Sequence, residues 1–184
     1  PIVEELFKNE DAINSTSIAD AHLKPEVGIH HNLMAEREIP RGFIRANLFH
    51  EVIDDVIWNQ TDVTATPTVS TFLPITKVTT TGAEFVVQQK RVLESDVDVR
   101  FNVADTDSEI TKNKADPSIE GNVFPRIPKW RSNMLATWHV NAKLDTSLGV
   151  RYASDSFGRR DNTDTTNQVY GAQDKYLFVD LNAN

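Results

Sequence analysis

The sequence predicts an antiparallel all-β sheet of about seven long strands, a segment of a barrel that crosses a membrane. Three observations predict it. Apolar residues recur at every second position, several candidate strands run past ten residues, and tight turns alternate with long polar loops. Strands of soluble domains usually run about 5–6 residues, whereas a tilted membrane strand needs roughly 9–11 within the bilayer. Short turns on one rim and long loops on the other are the rule for outer-membrane barrels.

Composition agrees once pattern is considered. The 184 residues are 39% hydrophobic, with a mean hydropathy of −0.40. The longest apolar run is Tyr176 to Val179, far short of the roughly 20 residues that a spanning helix requires. A barrel strand needs an apolar residue only at alternate positions. The 19 Lys and Arg against 27 Asp and Glu give a net charge of −8 with no basic block. Nucleic acid is therefore not an expected partner, since phosphate affinity needs clustered cations. The absence of Cys excludes disulfides, thiolate metal sites and Cys nucleophiles. The chain opens at Pro1 with no basic or apolar leader segment, as expected of a processed chain or an internal piece.

Along the chain, residues 1–13 allow a short turn of helix around Ile2, Leu6 and Phe7. A strand near 26–37 passes through Ile39-Pro40-Arg41-Gly42 into another near 42–59, where Ile44, Ala46 and Leu48 alternate with Arg45 and Asn47. A polar loop over about 61–73 leads to a strand near 74–89, in which Ala83, Phe85 and Val87 oppose Gly82, Glu84 and Gln88. The Lys90–Glu94 turn precedes the cleanest run, near 95–109, where Val97, Val99, Phe101 and Val103 alternate with Asp98, Arg100 and Asn102. A loop over 110–127 leads to a strand near 128–140 carrying Met134, Ala136 and Trp138, with Leu135 interrupting its polar row. Asn141-Ala142 turns it into a strand near 143–155, with Leu144, Leu148, Val150 and Tyr152 on one face. After a loop over 156–174, Leu177, Val179 and Leu181 oppose Asp180 in the last strand.

Alternation assigns the two faces. Val97, Val99, Phe101, Leu148 and Val150 are expected to face lipid, and Glu84, Asp98, Arg100 and Arg151 the lumen. Glu84 is expected to pair with a neighbouring Arg, and Arg100 and Arg151 with Asp98, Asp145 or Glu84. Phe43, Trp58, Trp130, Trp138, Tyr152 and Tyr176 lie toward strand ends, where aromatic girdles form. Asp105, Asp107 and Glu109 share one strand face and are expected to be a solvated strand end rather than a Ca²⁺ site. His22, His30, His31, His50 and His139 have no chelating spacing, so no metal site is expected. No nucleophile elbow and no phosphate loop is present, and neither an enzyme nor a cofactor is expected. Two other architectures remain open at this level. A porin-like channel shares the loop alternation, and a soluble carbohydrate-binding β-sandwich would bury the Val97 face beneath a second sheet.

Six segments in order also carry a family resemblance. They are Leu23-Lys24-Pro25-Glu26, Ala46–Phe49 with Ile53–Ile57, Thr81–Phe85, Asn102–Ile110, Gly121–Trp130, and Tyr176–Leu181. Together they resemble the C-terminal part of the β-barrel of TonB-dependent outer-membrane receptors, the active importers of ferric siderophores and similar cargo. The resemblance implies that residues 1–184 are about a third of a roughly 22-stranded barrel in the bacterial outer membrane. It further implies that the plug domain, through which TonB acts, and the final hairpin lie outside this stretch. Outer-membrane lipid and a metal chelate are the implied partners. Chelate contacts in that family come mostly from extracellular loops, which here offer Phe72, Phe124, Arg159, Arg160 and Tyr170.

Overall fold

The computed structural model describes residues 1–62, 64–164 and 173–184. A short helix α1 (Val3–Phe7) leads into a small hairpin, β1 (Glu10–Ala12) and β2 (Ser15–Ile18). Seven longer strands follow: β3 (Val27–Ile39), β4 (Gly42–Asp62), β5 (Thr68–Gln89), β6 (Val97–Lys112), β7 (Trp130–Asn141), β8 (Leu144–Ala153) and β9 (Tyr176–Ala183). From β3 to β9 each strand pairs antiparallel with the next, in one sheet. The exception was not foreseen: β2 lies parallel to the start of β5, with Ser15 opposite Thr68 and Ile18 opposite Thr71.

Register carries the two faces across the sheet. Leu33 lies opposite Leu48, Leu48 opposite Ala83, and Phe85 opposite Val103. The same row continues as Phe101, Met134, Val150 and Val179, each opposite the next. No second sheet covers this apolar face among the described residues, and Leu33, Leu48, Val179 and Leu181 are each more than half exposed. That finding removes the sandwich, whose core this face would have to be. The outer strands β3 and β9 each pair on one side only, leaving two open edges.

The buried core lies at the long-loop end. Val56, Trp58, Ile75, Val78, Ile110 and Ile119 form it, with Ile53 and Phe124 packed against them. Odd-numbered Ile53 and even-numbered Val56 and Trp58 share this cluster, so alternation inverts between them. The inversion falls at Asp55, whose φ of 57° is left-handed, a conformation that Asp tolerates better than most residues. Asp55 and Thr76 both drop out of the β4–β5 ladder there. The Glu26 carboxylate accepts the Ile57 amide at 2.7 Å just beyond the inversion, and Leu23 is buried. Lys24 and Pro25 connect these two anchors. The Leu23–Glu26 segment thus satisfies a backbone donor that the end of β3 leaves unpaired. Glu26→Ala should cost about 1–2 kcal/mol through that stranded amide. Hydrogen exchange at Ile57 in the full-length protein would read it, and unchanged protection would refute the role.

One loop assignment is corrected. The stretch 61–73 is mostly strand, and the β4–β5 connection is only 63–67. Thr61, Ser70, Thr71 and Phe72 all find cross-strand partners, and β-branched residues favour such a ladder over a free loop. Asp62 is absorbed into the ladder opposite Val69, and Pro67 falls in the remaining connection.

Candidate functional site

Three segments meet at the long-loop end of the sheet: the distal part of the β4–β5 hairpin, residues 113–127, and residues 156–164. Residues 113–127 fold back along β6, with the Ile110 amide donating to Asn122 and the Phe124 amide donating to Ser108. Asn162, left-handed at φ 51°, ties the second loop to the first. Its Oδ1 accepts the Val123 amide at 2.8 Å, and its Nδ2 donates to the Val123 carbonyl at 2.9 Å. Asn122 Nδ2 donates to the Arg160 carbonyl, and the Arg126 amide to the Phe157 carbonyl.

On this base sits an aromatic and cationic surface. Trp58 is buried, and Phe124 meets its ring edge-on at 5.5 Å. The Arg126 guanidinium lies over the Trp58 ring at 4.7 Å. Arg126 is exposed and has no carboxylate partner among the described residues. Its φ of 62° sets it at a strained backbone position. By contrast Arg159 is held by Asp161 through two hydrogen bonds, and Arg160 reaches Asp116 at 3.5 Å. Burial opposes the charge on Asp161, but hydrogen bonds from Arg159 and from the Thr163 hydroxyl and amide outweigh it. The carboxyl is left below its ordinary value, and the Arg159 guanidinium is raised in turn, chiefly by its hydrogen bonds to Asp161.

Phe124, Arg159 and Arg160 thus lie on two loops that hydrogen bonds join, through Asn122, Val123 and Asn162. Phe72 is displaced from them: it lies within β5 opposite Asn59. Tyr170 lies outside the described residues. Sequence reasoning missed Arg126 and assigned Trp58 only to a girdle. Register and turn geometry join them, and neither is readable from spacing.

The sheet's polar face holds the other expected residues. Asp98, Arg100 and Arg151 lie on the row pairs opposite Thr137, Leu135 and Asn133, and Glu84 lies between Asn47 and Ala104. Val97, Val99, Phe101, Leu148 and Val150 all lie on the opposite, apolar face. The expected ion pairs are corrected. Arg151 pairs with Asp180 at 3.1 Å, and Asp98 and Asp145 both flank His139, at 3.4 and 2.8 Å. Among the described residues Glu84 and Arg100 have no ion-pair partner. The reason is strand register: a long Arg side chain reaches the diagonal neighbour that its register supplies, and alternation alone does not give register. Leu135 lies with Arg100, Asn102, Asn133, Gly149, Arg151 and Asp180 along a shallow groove of about 250 Å³ on this face. Among the described residues no group of three His, Asp or Glu side chains is placed to hold a metal ion, Asp105, Asp107 and Glu109 included.

A single sheet, antiparallel from β3 to β9, with one apolar and one polar face, tight turns at one rim and a built loop surface at the other, defines a membrane β-barrel wall. The chain belongs to the TonB dependent receptor-like, beta-barrel family, whose model matches residues 4–184. That is a family of bacterial outer-membrane transport receptors, not of enzymes. The structure is similar to the ferric yersiniabactin uptake receptor of Yersinia pestis, with TM-score 0.64 and 17% identity over 86% of this chain and 22% of that one. It is also similar to a siderophore receptor of Acinetobacter baumannii, with TM-score 0.62 and 18% identity over 86% and 22%. A ferric enterobactin receptor mutant of Pseudomonas aeruginosa aligns with TM-score 0.62 and 13% identity over 91% and 24%. The chain thus spans less than a quarter of these proteins' length. No curated protein sequence matches it significantly. Family membership favours neither the porin-like channel nor the carbohydrate-binding module.

Proposed function

We propose that residues 1–184 form part of the barrel of an outer-membrane receptor that imports a ferric siderophore or a similar metal chelate with energy supplied through TonB. The remaining strands and the plug belong to the rest of such a protein. The two open edges of the sheet support this, since a barrel closes only when each edge is paired. The apolar face, with Val97, Val99, Phe101, Leu148 and Val150, meets lipid. The polar face, with Glu84, Asp98, Arg100 and Arg151, lines the lumen. The wall performs no catalysis: it satisfies its backbone groups in the bilayer and presents the loop surface outward.

The observation that carries the ligand class is Arg126 over Trp58, exposed and without a carboxylate partner. A free guanidinium on an aromatic base favours an anionic, aromatic-bearing chelate over a neutral sugar. Phe124, Arg159 and Arg160 shape and brace that surface. Uptake of iron-labelled chelates by cells carrying the full-length protein, with and without a functional TonB, tests the reading. TonB-dependent uptake supports it. Arg126→Ala should weaken chelate binding about tenfold, the loss of roughly one charged contact. Uptake indifferent to TonB would overturn the proposal.

A further inference from the structure

The opposite rim holds a second feature that the proposed import function does not use. Three cations line one groove of about 430 Å³ there: Arg41 from the β3–β4 turn, and Lys90 and Arg91 from the β5–β6 turn. The turns are fastened together, the Lys90 amide donating to the Arg41 carbonyl at 3.0 Å. The remaining lining residues are Asp98 and His139. Asp98 is already occupied. One oxygen accepts the Arg91 amide at 3.0 Å, and the other lies 3.4 Å from His139 Nε2. His139 Nδ1 faces Asp145 at 2.8 Å. Among the described residues Arg41, Lys90 and Arg91 have no side-chain ion pair, and all three are exposed. In a chain of net charge −8, three unpaired cations converging on one groove are not a solvated average.

Backbone conformation fixes where two of these cations stand. Arg41 and Arg91 occupy left-handed φ values of 63° and 50°, as Leu93 and Glu94 of the second turn also do. Tight turns between twisted strands take that region, and here it holds the Arg41 and Arg91 backbones at the mouth of the groove.

We propose that this groove is an anion site for a phosphate-class group, bound by Arg41, Lys90 and Arg91. Two guanidinium forks and an ammonium match a compact anion with several oxygens, since Arg binds phosphate through paired parallel hydrogen bonds. The bound anion would neutralise the rim cations and cross-link the β3–β4 turn to the β5–β6 turn. A lipid headgroup and free phosphate present the same chemistry.

The experiment uses the full-length protein, purified without phosphate in a nonionic detergent, and follows its Tm. Inorganic phosphate should raise Tm saturably beyond chloride of equal ionic strength, because binding to the folded state alone stabilises it. Lys90→Gln should raise the half-saturating phosphate concentration roughly tenfold, as loss of one charge-assisted contact implies. Arg41→Gln with Arg91→Gln should abolish the response, and Lys143→Gln on the neighbouring turn should leave it intact. A response absent with free phosphate but present in phosphatidylglycerol nanodiscs, relative to phosphatidylcholine, assigns the site to a lipid headgroup. Should the double variant misfold, Lys90→Gln decides alone. No response to either source, or one unchanged in Lys90→Gln, overturns the proposal without touching the import function.

Discussion

Val99→Arg in the full-length protein should cost about 2–4 kcal/mol of folding free energy in a bilayer, the penalty for a cation near the midplane of a barrel's lipid face. Val99 lies between Gln89 of β5 and Ala136 of β7 on the apolar face. Its row runs from Val97 near the tight turn to Val103, so Val99 and Phe101 fall near the middle of the apolar belt. Arg100→Val, one residue away on the polar face, should cost far less. The comparison separates lipid exposure from general damage to β6. Reversible unfolding from liposomes measures both, and equal effects of the two substitutions would refute the facing assignment.

Trp58→Ala should cost about 3–5 kcal/mol of local stability, the usual range for deleting a large aromatic from a packed site. Trp58 is 7% exposed, supports Phe124 edge-on, and underlies the Arg126 guanidinium. Its loss removes one wall of the small core at the long-loop end. The barrel wall below should stay folded, because that core shares no residue with the apolar face. Proteolysis within 113–127 should therefore accelerate while heat-resistant barrel migration persists. Intact loops would show that the hydrogen bonds of Asn122 and Asn162, rather than Trp58, hold the platform.

The strands were legible because alternation is a local property. Val97 to Val103 read the same in isolation as in the sheet, and all seven long strands were found in order, with β5 beginning earlier than expected, at Thr68. The loop surface was legible only in part. Phe124, Arg159 and Arg160 were found as aromatic or cationic loop residues. Arg126 was not, because its importance comes from lying over Trp58, some 68 positions earlier in the chain. Phe72 was misplaced because residues rich in Thr and Val extend the β4–β5 hairpin where Asp62 and Pro67 suggested a loop. The inversion at Asp55 defeats sequence pattern by nature, since one left-handed residue reverses which parity faces the core.

The sequence by itself determined a two-faced antiparallel sheet, its tight and long rims, and its resemblance to the receptor barrels. Those depend on periodicity of two, turn chemistry and short motifs, all carried by neighbouring residues. Only the tertiary structure decided which charges meet: Arg151 with Asp180, His139 between Asp98 and Asp145, Arg126 on Trp58. It likewise showed Arg41, Lys90 and Arg91 converging unpaired on one groove. Register and loop packing set those meetings. A shift of one residue in either would move every partner to the other face.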